Sequence, residues 1–365
     1  MIILRITSVG DVIFSMKGPR MIDALLNIRQ HLRHSVGSGS YTQLVRLPLV
    51  TLLFGVGLTV TAQPITTGWP QKPVTIVVPF TPGGGGDSLS RMLAPALSEA
   101  LGQAILIDNK PGAGGSIGAK AVAAAAPDGY TLLNGTSSTH GINPWLYSRL
   151  GYDVLKDFEP IAMLAISDYA LGVPTSSSAR QVSDLLAMHK TQKLMFASSG
   201  NGTTSHLASA LFATLAKADF EHVPYKSSGP ALQDLIGGQV SFFFDNTSVL
   251  MPQAKAGKIR LLATSGSNRS ATTPDIPTMA EAGISGYDVI GWWALFAPAQ
   301  TPKPVIDRLH KEVTKILESP VIRQKIVTMG NIVAPSLSPA ETKLFIKAEY
   351  EKFGSIVKMA GVKLD

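Results

Sequence analysis

VTIVVPFTPGGGGDSLSRML, residues 74–93, sets an unbroken apolar, β-branched run against four consecutive glycines and then a helical pattern. A run without polar alternation reads as a strand buried on both faces, the kind a parallel sheet contains. After the glycines, Leu89, Met92, Leu93, Ala96, Leu97, Ala100 and Leu101 recur at helical spacing. Strand, bare loop and helix in that order aim unpaired amide N–H groups and a positive dipole end at one point, a natural place for an anion. Phosphate is the first candidate, and it fits poorly. A Walker loop closes with Gly-Lys-Ser/Thr, whereas this one closes Gly86-Asp87-Ser88. Asp87 is expected to cap the helix by accepting from N–H groups in its first turn.

The alternation continues outward. AILID (104–108) is a strand, GAKAVAAAA a helix, Pro127-Asp128-Gly129 a turn and YTLLNG a strand. LMFAS (194–198), HVPY, QVSFFFD and KIRLLATS are further strands, with HLASALFATLA and PALQDLIGG as helices among them. Three helices close the chain, the first with Pro302 and Pro304 near its start. This predicts an α/β protein of mainly parallel sheets flanked by helices. With 365 residues, 45% hydrophobic and 16% charged, the chain can fill two cores. Thr175–Ser178 and Pro274–Gly286 are the expected crossings between domains, giving a discontinuous lobe 1 (63–174 plus 287–365) and a lobe 2 (175–286).

The formal charge of +7 is concentrated at the start. Removing the six basic and two acidic residues of the first 62 from the totals of 32 and 25 leaves 26 against 23, so nucleic acid is not an expected partner. LPLVTLLFGVGLTVTAQ, from Leu47, follows Arg46 and ends in the small residues Val60-Thr61-Ala62. Residues 1–62 therefore read as a leader and signal peptide cut after Ala62, an uncleaved anchor being the alternative. The chain has no cysteine. That excludes disulfides, thiolate metal sites, a cysteine nucleophile and a lipid-modified cysteine, and export without disulfides suits a bacterial periplasm.

Polar loops recur where strands end: Thr136–His140, Ser199–Thr204 and Asp245–Ser248, besides the glycine loop. Ligands of open α/β sheets bind outside the carboxyl ends of strands, so four such loops, two from each half, can converge on one cleft. Each alone is also what an ordinary helix start requires. The second glycine cluster, Gly112–Gly118, puts Ile117 where a dinucleotide fingerprint needs its third glycine, and reads as a tight turn packing a helix against the sheet. His140, His206 and His222 lack an obvious carboxylate partner and read as structural. Trp292-Trp293 and Phe242-Phe243-Phe244 read as core, with an aromatic cleft wall as the alternative.

One ordered set of motifs resembles a known family. Trp69-Pro70-x-Lys72-Pro73, VVPFTPGGGGD, Asn109–Gly115, Pro127–Thr131, Asp157-Phe158-x-Pro160-Ile161, Ser199-x-Asn201-Gly202, His222–Lys226, Gly237–Val240, Pro274-x-Ile276-Pro277-Thr278 and Ala297-Pro298-x-x-Thr301-Pro302 occur in the order seen in Bug-type solute-binding receptors of tripartite tricarboxylate transporters. The resemblance implies a two-lobed periplasmic binding protein of the Venus-flytrap, type II kind. Such a protein is a non-enzymatic monomer without cofactor or metal that captures a small carboxylate and delivers it to membrane permease subunits. It implies ligand-binding roles for Phe80, Gly84, Gly85, Asp87 (mainly as loop organiser), Ser137 and Ser138 from one lobe. From the other it implies Ser199, Asn201, Gly202, Thr203 and Asp245. Lys226-Ser227-Ser228 departs from the glycine common in the family after the HVPY motif, which bears on ligand identity. A simple dicarboxylate and an amino- or amide-bearing acid both stay open, since Asp245 facing the cleft would repel a second carboxylate or bind an amine. Presentation of ligand to a membrane sensor, and an exported hydrolase using His206 with Asp245, are the alternative functions.

Overall fold

Strand β1 (Val74–Val78) pairs in parallel with β2 (Ile105–Asn109) on one side and β3 (Thr131–Thr136) on the other, and it is buried as its apolar run requires. The computed structural model describes residues 68–270 and 272–364. The leader and its cleavage site lie outside the described residues. The first sheet runs β2-β1-β3-β9-β4-β10, where β4 is Phe158–Pro174, β9 is Ile290–Pro298 and β10 is Ile332–Val333. Against the expectation of a mainly parallel sheet, β9 is antiparallel to both β3 and β4. The long strands β4 and β9 carry no turn signals inside their apolar runs, and periodicity alone cannot tell such a run from a buried helix.

The second sheet holds β5 (Met195–Ser198), β6 (Glu221–Pro224), β7 (Phe242–Asn246) and β8 (Ile259–Thr264), again with β4. Strand β4 pairs with β9 as far as Asp168, and with β7 and β8 from Tyr169 onward. One strand thus belongs to both sheets. Pairing changes hands inside this strand, upstream of the Thr175–Ser178 stretch that composition marked.

Both sheets are covered on both faces. Helices α1 (Gly85–Leu101) and α7 (Lys303–Glu318) share one apolar cluster with Ile76, Leu132 and Leu295. Val122 of α2 (Ser116–Ala123) joins Leu133 and Phe296 on the opposite face. In β7, Phe242 and Phe244 enter one cluster and Phe243 another, as strand alternation dictates. These three phenylalanines are core, as read. Helices α3 (Val182–His189), α4 (Thr204–Ala216), α5 (Ser228–Ile236) and α6 (Thr247–Lys255) flank the second sheet, and α8 (Pro320–Thr328) follows α7. The last helix, α9 (Pro339–Ala360), serves both halves: Ile346 packs with Trp292 and Phe296, while Phe353, Ile356 and Val357 join Leu207 and Leu211 of α4.

Candidate functional site

The glycine loop leaves the amides of Gly84–Gly86 without a side-chain cap because Asp87 turns back to Gly83 instead. Gly84 occupies the N-cap of α1 and no side chain caps the helix. Asp87 instead reaches back to accept from the Gly83 N–H at 2.9 Å, from Arg91 Nε at 3.0 Å and from Asn109 Nδ2 at 3.0 Å. Its expected bonds to the first helical turn are not made. Burial alone would raise the Asp87 carboxyl; hydrogen bonds from Arg91, Gly83 and Asn109 outweigh it and hold the group below the usual carboxylate range. Asp87 is a brace on the outside of the loop, so the first-turn amides of α1 point inward unshielded.

They point into a cleft where the two sheets meet. Its walls are Phe80, Thr81, Gly84, Gly85 and Gly86, with Thr136, Ser137 and Ser138 after β3, Tyr169 of β4, and Gly291, Trp292 and Trp293 of β9. From the second sheet come Ser199, Thr203, Ser227, Ser228 and Asn246. None of these residues is charged. Two further helices begin here without a side-chain cap: α5, whose N-cap is Ser227, and α6, whose N-cap is Asn246. Three positive helix ends therefore converge on one uncharged cavity from both halves of the protein. Asn246 is only 8% exposed, and its Oδ1 has no partner among the described residues. Its Nδ2 donates to Asp245 Oδ1 at 3.1 Å.

The residues named from sequence divide in three. Phe80, Gly84, Gly85, Ser137, Ser138, Ser199 and Thr203 line the cleft. Two of these also close it, since Ser137 Oγ lies 2.8 Å and Ser138 Oγ 3.2 Å from Thr204 Oγ1 of the second half, and the Thr204 N–H donates to Ser138 Oγ at 3.0 Å. Asn201 lies outside, on a neighbouring chamber. Asp87, Gly202 and Asp245 line neither cavity. Gly202 is buried and donates to His206 Nδ1 at 3.4 Å. Asp245 is wholly buried behind the wall, where Oδ1 accepts from the Asn246 N–H at 2.8 Å. Burial pushes its carboxyl up to about 6, with hydrogen bonds from Ser228 and Asn246 acting the other way.

Several lining residues escaped the sequence reading. Ser227 and Ser228 stood out only as a departure from a motif, Thr136 and Asn246 sat in loops already marked, and the Trp292-Trp293 pair forms the cleft wall held as the weaker alternative. The pair earns its place through β9: Trp292 Nε1 donates to Glu349 Oε2 of α9 at 3.1 Å, and Trp293 backs the glycines. Nothing in the sequence marks Tyr169 or Gly291, which arrive only because β4 and β9 pass under the cleft.

The histidines are structural. His140 is buried with its ring stacked on Phe296 at 4.1 Å. His206 and His222 stack at 4.1 Å, and His222 Nε2 lies 2.6 Å from Ser198 Oγ. No bond joins His206 to Asp245 among the described residues, so the pair a hydrolase would need is not formed. Burial lowers all three imidazoles, His140 and His222 to about 3 and His206 to about 4. Folded, they stay neutral where unfolded histidines, titrating near 6.5, take up protons. The unfolded chain then binds more protons and stability falls as pH drops. The raised carboxyls of Asp245, Asp168 and Glu349 oppose this, because they gain protons in the folded state first. The net expectation is a loss of about 1–2 kcal/mol between pH 7.5 and 6. Urea melts at the two pH values measure it; equal midpoints would show that the imidazoles are not held neutral.

Two sheets sharing a strand, with an uncharged cleft of helix ends between them, define a solute-binding receptor of the periplasmic binding protein fold. The chain belongs to the tripartite tricarboxylate transporter family receptors, whose family model matches residues 89–362. It is 34% identical over 310 residues to protein BugT of Bordetella pertussis, covering 83% of this chain and 94% of BugT. Among solved structures it resembles an R. palustris protein determined with adipate (36% identity, TM-score 0.78, 81% of this chain and 100% of that one). It also resembles MatC of Rhodopseudomonas palustris with bound malate (34% identity, TM-score 0.76, 79% and 100%). The resemblance read from the ordered motifs is confirmed, and with it the α/β receptor fold and the role in solute binding for transport. No helix among the described residues is long and apolar enough to cross a membrane.

Proposed function

We propose that this chain works in the periplasm, after removal of residues 1–62, as a monomeric receptor that closes on a small dicarboxylate and presents it to membrane permease subunits. The lobes follow the division expected from sequence, 63–174 with 287–365 against 175–286, except that residues 169–174 go with the second lobe, because β4 pairs with β7 and β8 from Tyr169 on and the hinge falls there. The observation that carries this reading is the convergence of three uncapped helix starts on a cleft with no charged side chain. One carboxylate is taken by the amides of Gly84–Gly86 beside Phe80, the other by the starts of α5 and α6 at Ser227, Ser228 and Asn246, with Ser199 and Thr203 between them. Ser137 and Ser138 act mainly by joining the lobes, and Gly202 and Asp87 by bracing the loops. A hydrogen bond to a charged group contributes about 1.5–3 kcal/mol net, so three or four to each carboxylate offset an association cost of about 4–15 kcal/mol without an arginine. The adipate and malate held by the two relatives are acids of this class.

An amino acid is disfavoured because no acidic side chain reaches the cleft to receive its ammonium group. The test is calorimetry and intrinsic tryptophan fluorescence with mono-, di- and tricarboxylates and amino acids, alongside mass spectrometry of whatever the purified protein carries. Trp292 and Trp293 make the cleft self-reporting. Folded protein that responds to no carboxylate would end the proposal.

Asp245 supplies a pH signature. It is charged above about 6, close behind Asn246 and Ser228, and repels an anion in the cleft; below that it is protonated and neutral. Asp245→Asn is expected to tighten dicarboxylate binding roughly fivefold at pH 7.5 and to match the unmodified protein at pH 5. An equal ratio of affinities at both pH values would remove Asp245 from the electrostatics of the site.

A further inference from the structure

Of the four indole N–H groups in the chain, those of Trp145 and Trp292 donate within the protein, to the Tyr350 carbonyl at 2.9 Å and to Glu349 Oε2 at 3.1 Å, and that of Trp69 is sealed inside. Trp293 differs. It lines the cleft, and its Nε1–H meets no acceptor among the described residues. A buried indole N–H ordinarily finds a partner. Trp293 is 4% exposed, and that remaining surface lies on the cleft.

The position of the ring is fixed by β9. Trp293 stands in the middle of the first sheet, opposite Thr136 of β3 on one side and Ala165 of β4 on the other, and its ring packs with Leu89 and Leu295. The edge of the indole runs along the glycines: a Cβ at Gly85 would lie 2.8 Å from Cζ2, and one at Gly86 would lie 2.9 Å from Nε1 and 3.2 Å from Cδ1. The N–H reaches the first-turn amides of α1 because both glycines lack a side chain. Asn134 holds the same turn, donating through Nδ2 to the Gly86 carbonyl at 2.9 Å and to Ser90 Oγ at 2.7 Å. Nδ2 is also the Asn134 atom that faces Gly86, 3.4 Å from the same Cβ position, so it gives the indole nothing to donate to. An indole nitrogen and a main-chain amide both donate only. Side by side, they call for a group with several acceptor sites, which a carboxylate supplies.

We propose that Trp293 is a ligand-contact residue whose Nε1–H donates to the carboxylate held by the Gly84–Gly86 amides. This deepens the carboxylate reading above and rests on it. The test separates the N–H from the ring. Trp293→Phe removes both, whereas β-(3-benzothienyl)alanine placed at position 293 by amber suppression keeps the two-ring shape and carries sulfur in place of the N–H. Calorimetry on the unmodified protein and both variants uses succinate and adipate, each beside the monoacid of equal length, butyrate or hexanoate. Labelling tryptophan with nitrogen-15 adds the indole N–H signals as a second readout, the Trp293 signal being the one missing from both variants.

The benzothienyl variant is expected to melt, without acid, at the temperature of the unmodified protein and to bind succinate and adipate about tenfold more weakly. Butyrate and hexanoate lose the same factor, because the contact is to the carboxylate that all four acids share. Trp293→Phe loses at least as much, and succinate moves the Trp293 indole signal downfield. If the benzothienyl variant melts lower and binds as before, the N–H serves the fold and the proposal fails with carboxylate capture intact. A loss confined to the diacids would put the indole on the far carboxylate and overturn it equally. If none of the four acids binds the unmodified protein, the underlying reading fails with it.

Discussion

Replacing Gly85 with alanine is expected to weaken ligand binding by about a hundredfold, equivalent to losing one to two charge-assisted hydrogen bonds. A Cβ at this position would lie 2.8 Å from Trp293 Cζ2, 3.2 Å from Cη2 and 3.4 Å from Ser248 Oγ. Trp293 is 4% exposed and packed with Leu295 and Leu89, so the indole cannot retreat and the helix start must move. Overpacking of this kind costs about 1–3 kcal/mol. The better helix propensity of alanine, worth about 1 kcal/mol, offsets part of it, which keeps the variant folded. Gly84→Ala is the control. Its Cβ would meet only the Thr81 carbonyl oxygen at 3.8 Å, and its φ of −76° suits any residue. Calorimetry on the two variants decides the matter: Gly85→Ala binding like the unmodified protein would place the ligand away from the start of α1.

Asp87→Ala is expected to lower stability by about 2–4 kcal/mol and to weaken binding as well, although Asp87 touches no ligand. The variant removes the acceptor of the Gly83 N–H, of Asn109 Nδ2 and of Arg91 Nε together. Arg91 is half exposed and regains water, which keeps the cost below that of a fully buried pair. Asn109 still donates to the Phe80 carbonyl at 2.9 Å, so part of the loop stays anchored. Asp87→Asn, which keeps one acceptor oxygen, should recover about half of the loss. Thermal melts with and without ligand measure both effects. A melting point unchanged in Asp87→Ala would mean that the loop holds its shape without the brace.

The glycine loop shows how far local reasoning carries. That the loop after β1 is a candidate anion site follows from the strand, the missing side chains and the helix behind them, all within twenty residues. The direction in which Asp87 points does not follow, because Arg91 and Asn109 compete with the first-turn amides for its oxygens and Asn109 comes from another strand. Asp245 makes the same point in reverse. It ends a strand in a polar loop, the right place for a ligand contact, yet side chains of a strand alternate and Asp245 falls on the buried side while Asn246 faces the cleft. Ser227 and Ser228 were legible as unusual residues but not as a helix start aimed inward, since that depends on where α5 meets the sheet.

Hydrophobic periodicity, strand-end loops and ordered motifs, all properties of neighbours along the chain, sufficed to determine the α/β class and the family, and to point to the strand-end loops that line the cleft. The tertiary structure alone decided that β4 belongs to both sheets, that tryptophans of β9 form the cleft wall, and that the cavity holds no charge. Those outcomes depend on which faces of distant strands meet. Each long apolar run is compatible with several pairings, and only the burial of both sheets at once selects among them.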